Sequence, residues 1–194
     1  ISACLVGSEM CIRDRLQTLG QHPEFAASAG AKVKTPFELM ISEIRITNCE
    51  VNPQEALSNL CGRMGAPMFH WPAPNGMPDI APVWTGTHGM MLRWAVVDQI
   101  TAPRSKLLAD SEASLFPWLI SGGRITSATQ AVELLAPPIL GDSVSTTTMA
   151  ALADYANSTE VLGARGVFTN PAALETGLRK LIGAIAATPE FQLR

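Results

Sequence analysis

Met68-Phe69-His70-Trp71-Pro72-Ala73-Pro74-Asn75-Gly76-Met77-Pro78-Asp79-Ile80-Ala81-Pro82-Val83-Trp84 is the stretch on which the fold turns. Its prolines each fix φ, remove a backbone donor and push the preceding residue toward extended geometry. Neither a helix nor a central strand is expected to run through prolines at 72, 74, 78 and 82. Pro74-Asn75-Gly76 is a turn signal, because Asn and Gly tolerate the positive φ of tight turns. The segment reads as a stiff, non-repetitive connection. Phe69, Trp71 and Trp84 are costly in water, so the composition predicts a loop pinned over a helical core by its aromatics. Its carbonyls need donors that prolines do not supply. Arg45 and Arg93, on the flanking helices, carry several N–H groups each and are expected to clamp it. A rigid loop also suits a binding surface. Apolar anchoring alone explains the composition, so a structural strap is the preferred reading.

The flanks read as helix after helix. Leu16–Leu19 ends a first helix, and Pro23-Glu24-Phe25 starts a short helical turn ending near Gly30. Thr35-Pro36-Phe37-Glu38 is a capping box with proline at the first helical position, followed at helical spacing by Met40, Ile41 and Ile44 up to about Thr47. Asn52-Pro53-Gln54-Glu55 repeats that grammar, and Leu57, Leu60, Cys61 and Met64 repeat the spacing. After the loop, a helix from Thr85 or Thr87 to about Ile100 is apolar nearly all round and is expected to be the central buried helix, with Arg93 in need of a partner. Further helices are predicted over Ser111–Leu119, over Ser127–Leu135 with Pro137-Pro138 as its stop, over Ser145–Asn157, and from Asn170-Pro171 through Ile185. A short extended piece is expected at Gly166-Val167-Phe168, and Thr188-Pro189-Glu190-Phe191 begins one last turn. Strand signals are almost absent. The predicted class is all-α, an irregular multi-helix bundle with one long Pro/Trp-rich loop packed on it.

Composition agrees with one globular domain: 194 residues, 47% hydrophobic and 16% charged. A net charge of −3 with no basic run speaks against a nucleic-acid surface. The apolar stretches fall short of the ~20 residues a membrane span requires. Val6 to Arg15 looks like the translated read-through of a sequencing adapter, of the kind assembled metagenomic fragments carry. Residues 1–14 are therefore set aside as non-native, which removes Cys4 and Cys11. Cys49 and Cys61 remain without C-x-x-C spacing; Cys61 reads as a buried free thiol, with a disulfide between the two as the alternative.

No G-x-S-x-G elbow, P-loop, G-x-G-x-x-G or H-E-x-x-H is present. His22, His70 and His88 are scattered, so neither a metal site nor a cofactor is expected. His70 beside Trp71, with Asp79 near, forms an acid–base pair only if the loop folds back. Lys34, Glu38 and Arg45 surround one helix start, with 38 and 45 on the same face. They read as capping groups and carbonyl donors, or in the sharper version as a polar site facing the loop. Asn75 belongs to the turn.

Three stretches together resemble one family. Lys34-Thr35-Pro36-Phe37-Glu38-Leu39 with Arg45 resembles its lysine–proline–glutamate helix start. Leu60 through Trp84, followed by Arg93, resembles its central loop, and Ala187-Thr188-Pro189-Glu190-Phe191-Gln192 through Arg194 resembles its C-terminal signature. The family is the bacterial domain of unknown function 1800, and the match covers roughly Leu16–Arg194. The resemblance implies that residues 15–194 are the C-terminal part of a larger helical domain, exported to the periplasm or beyond. It also implies a sulfatase-like exported neighbour, domain of unknown function 1501, and brings no established activity. The expected role is structural, an interaction partner of that neighbour. The alternatives are an enzyme acting on envelope or extracellular polysaccharide, its site completed by the missing N-terminal part, and a small-ligand module stacking on Trp71 and Trp84.

Overall fold

The structure, a computed structural model, describes residues 9–47, 52, 55–102, 105, 107, 125–141 and 144–193. The chain divides into two compact units, one of residues 1–32 and one of residues 33–193. In the first, α1 (Glu9–Gln21) and α2 (Pro23–Ala27) follow each other, with the His22 side chain capping α2 through Glu24 N. Ile12, Leu16 and Leu19 share one face of α1 and are exposed.

The second unit contains α3 (Pro36–Thr47), α4 (Glu55–Arg63), α5 (Ala81–Trp84), α6 (Thr87–Thr101), α7 (Ala128–Leu140), α8 (Thr146–Ala156) and α9 (Pro171–Ala186). Among the described residues no strand forms, only an isolated antiparallel bridge between Val33 and Leu193. The fold is all-α. The starts are where local chemistry puts them. Thr35 Oγ1 accepts from Glu38 N, and Glu38 Oε2 accepts from Thr35 N at 2.8 Å. Ser127, Ser145 and Asn170 cap α7, α8 and α9 through their side-chain oxygens.

α9 is the central helix. Its Leu174, Leu178, Leu181, Ile182 and Ile185 are buried against α7 and α8. A second cluster joins Met40 and Ile44 of α3, Leu60 and Cys61 of α4, and Val96 and Ile100 of α6. Leu39, Val97, Ala186 and Phe191 form a third.

Three expectations are corrected. α6 buries one face, Arg93, Val96, Val97, Ile100 and Thr101, while Met91 and Trp94 lie exposed, so it is not the buried centre. α7 runs through Pro137 and Pro138 to Leu140. Proline removes the bonds to the carbonyls four residues back, and those belong to Glu133 and Leu134 on the exposed face, where water can replace them. The stop is Gly141, left-handed at φ 83. Third, Val167–Thr169 is a 3-10 turn, not an extended piece, entered through left-handed Gly166. The helix expected over Ser111–Leu119, and Cys49, lie outside the described residues. Cys61 is a buried free thiol.

Candidate functional site

The residues singled out from sequence gather in two places, both in the second unit. The first is a junction between the segment before α3 and the C-terminal turn Glu190–Gln192. Beside the Val33–Leu193 bridge, Lys34 N donates to Gln192 O at 2.8 Å. Lys34 Nζ donates to Phe191 O at 2.7 Å and lies 4.0 Å from the centroid of the Phe191 ring, a cation–π contact. Arg93, 1% exposed, reaches in from α6. Its Nη2 donates to Lys34 O at 2.7 Å and its Nη1 to Gln192 Oε1 at 3.0 Å. Gln192 Nε2 in turn donates to Ala186 O at 3.2 Å, at the end of α9. The lysine–proline–glutamate start, the central arginine and the C-terminal signature thus meet in one knot.

Glu43 completes it, and sequence reasoning missed it. It stands on the inner face of α3, 1% exposed, and neither carboxylate oxygen has a hydrogen-bond partner among the described residues. Burial pushes its carboxyl up to about 8, against the pull of Arg93 and, more weakly, Lys34. Burial likewise holds Lys34 below the usual ammonium range, with Glu43 and then Glu38 opposing, and lowers Arg93, with Glu43 opposing. The Cys61 thiol, 3.8 Å from Met40 Sδ, is pushed up to about 11 by burial, reinforced by the charge of Glu43. Glu43 was detectable: it lies four residues after Leu39 and three after Met40, on a stripe that is otherwise apolar.

The knot ties elements together rather than presenting a reactive group. Its donors are committed to carbonyl and amide oxygens, and a thiol held that high is a poor nucleophile. Glu38 serves the helix cap. Arg45 is exposed on α3 and makes no bond to the loop among the described residues. The expected clamp of the loop by both arginines is therefore replaced: Arg93 holds the Lys34 segment and the C-terminal turn instead.

The second place is the loop. Trp84 is its anchor, 3% exposed, with Nε1 donating to Pro78 O at 3.1 Å. Trp71 is half-buried, and its Nε1 is buried without a hydrogen-bond partner among the described residues. The turn at Asn75 forms as read, closed by Gly76 N donating to Ala73 O at 3.3 Å. One helical turn, α5, does include Pro82, which sits at the helix start where no donor is needed. Phe69 is the main departure. It was expected to be pinned; it is 96% exposed, in the left-handed region at φ 61, in a turn closed by His70 N to Pro67 O. That backbone turns the ring outward. His70 and Asp79 are both exposed, and His70 Nδ1 lies 2.8 Å from Met68 O, so the backbone occupies that ring nitrogen. Trp84 is too buried to serve as a stacking surface for a ligand.

A cavity of about 480 Å³ lies along α6 and α9, walled by Trp94, Asp98, Tyr155, Arg179, Lys180 and Gly183. None of Lys34, Glu38, Arg45, His70, Trp71, Asn75, Asp79, Trp84 and Arg93 lines it. Among the described residues no cluster of His, Cys, Asp and Glu could hold a metal ion, and no helix is long and apolar enough to cross a membrane.

No curated protein and no solved structure matches the chain. Its match to a family runs from residue 2 to residue 193, taking in the Lys34 segment, the loop, Arg93 and the C-terminal turn. On that extent, the chain belongs to the family described as Protein of unknown function (DUF1800).

Proposed function

We propose that this chain is an interaction module: a helical scaffold that presents the loop 68–84 to a protein partner. The observation that carries the reading is Phe69, 96% exposed on a backbone that disfavours it. A large aromatic held outward at a conformational cost of roughly 1 kcal/mol is more consistent with a contact than with packing. Ile80 and Val83 of the same loop are exposed as well. Lys34, Glu38 and Arg93 are committed to tying the scaffold, which supports the reading from the other side. The partner favoured by the family resemblance is the exported sulfatase-like neighbour, met by the full-length protein outside the cytoplasm.

The test is a pull-down of the two full-length proteins, followed by titration. Phe69→Ala is expected to weaken binding by about tenfold or more, as central aromatic contacts do, with the helical circular-dichroism signal unchanged. Equal binding by Phe69→Ala and by a Phe69→Ala, Ile80→Ser double variant would dismiss the loop as the contact surface.

A further inference from the structure

We propose that Glu43 is the trigger of a charge latch: loss of its proton draws Arg93 and Lys34 off the oxygens they now hold and releases the C-terminal turn Glu190–Gln192. This goes beyond the interaction role and does not depend on it.

The geometry supplies a trigger, a bolt and a load. The trigger is a carboxyl group sealed in the core with both oxygens lacking a hydrogen bond among the described residues. A carboxylate left so would be costly, whereas the neutral acid is far less so. The bolt is the pair of cations beside it. Their donors are committed elsewhere: Arg93 to Lys34 O and Gln192 Oε1, Lys34 to Phe191 O. The load is the C-terminal turn, which those contacts share with the Lys34 N to Gln192 O bond and the Val33–Leu193 bridge.

The charged and titratable groups facing Glu43 come from each element packed around it. α6 supplies Arg93, the segment before α3 supplies Lys34, α4 supplies Cys61, and Glu38 of α3 acts on Lys34. Cys61 stays a neutral thiol across the range concerned, so only cations answer a new negative charge. In a site of low dielectric that attraction exceeds the worth of a hydrogen bond to a neutral oxygen. The proton leaves to solvent, Arg93 and Lys34 move toward the carboxylate, and Phe191 and Gln192 lose the groups that hold them. The raised ionisation of Glu43, near 8, places the transition just above neutrality.

Two measurements on the same protein decide the matter. Carbon-13 carboxyl shifts of glutamate-labelled protein, followed from about pH 5 to about pH 10, report the ionisation of Glu43. Hydrogen exchange at the Lys34 amide and across residues 187–193, corrected for intrinsic rates, reports docking of the turn. The expected result is titration of Glu43 above pH 7, with protection falling by about tenfold or more through the same midpoint and staying flat in Glu43→Gln. Titration of Glu43 in the ordinary carboxylate range overturns the latch. So does an equal loss of protection in Glu43→Gln. Should that variant fail to fold, the wild-type curves still decide, because midpoints separated by more than about one pH unit would uncouple the two events.

Discussion

Arg93 shows what one side chain can hold together. Its planar fork spans two acceptors, Lys34 O and Gln192 Oε1, that come from opposite ends of the second unit. Lysine keeps the charge but is a point donor on a flexible stem and cannot reproduce that span. Arg93→Lys is therefore expected to lower stability by about 1–3 kcal/mol, seen as a lower urea midpoint at unchanged slope. Phe69 makes the opposite case. Its left-handed backbone is strained, so Phe69→Gly is expected to leave the melting temperature unchanged or raise it, with a gain of up to about 1 kcal/mol, while weakening partner binding. A clear fall in melting temperature would mean the ring contributes to the fold. The capping pair Thr35 and Glu38 was legible because both halves of its chemistry lie within one helical turn. Glu43 was legible only as an acid on the buried stripe of α3; its meaning was not, because it depends on Arg93, which tertiary packing alone brings near. The loop-clamping role expected of Arg45 and Arg93 failed for the same reason: the sequence shows a need for donors and not their direction.

At the scale of elements, helix starts were readable, and so were the ends of α3, α6, α8 and α9 to within a residue, but the end of α7 was not. Ser127, Ser145 and Asn170 place their side chains on nearby amides, a local interaction that sequence records directly. The end of α7 depends instead on which face its prolines leave short of bonds, and that is settled by packing. The mutual approach of α9 and the turn before it was also hidden. A Cβ on Gly177 would lie 2.5 Å from Leu162 Cδ2 and 2.5 Å from Val161 O, so glycine there sets how closely the two pack. Gly177→Ala is expected to cost about 1–3 kcal/mol through overpacking, measured by thermal or urea unfolding. Gly183→Ala should cost less, since its nearest neighbour, Thr101 Oγ1 at 3.2 Å, is the end of a side chain. A reversed order would show that the 161–162 turn yields more readily than α6.

For the whole molecule, two carboxyl groups of opposite behaviour, Glu43 buried and Glu190 half-buried, set the dependence of stability on pH. Glu43 is raised from 4.5 to about 8. Between those values the folded protein keeps a proton that the unfolded chain has lost, so its contribution is full below about 4.5 and lost as pH rises toward 8. Glu190 moves the other way: although burial works against it, hydrogen bonds led by Thr148 Oγ1, 2.6 Å from Oε1, hold it below the usual carboxylate range. Its contribution is present above its unfolded value and disappears as pH falls through the folded one. Lys34, lowered by burial, adds stability only as pH climbs above its folded value toward 10.5, where the unfolded chain still holds a proton. The three together place the stability maximum on the acid side of neutrality, near pH 5, with a decline through pH 8. Melting temperatures followed by circular dichroism across that range check this. Glu43→Gln should flatten the decline while leaving the acid limb, which belongs to Glu190, in place. A maximum that stays at neutral pH in wild type would mean that Glu43 is paired and ionised in the folded protein, and that Arg93 ties the bundle through charge rather than through neutral acceptors.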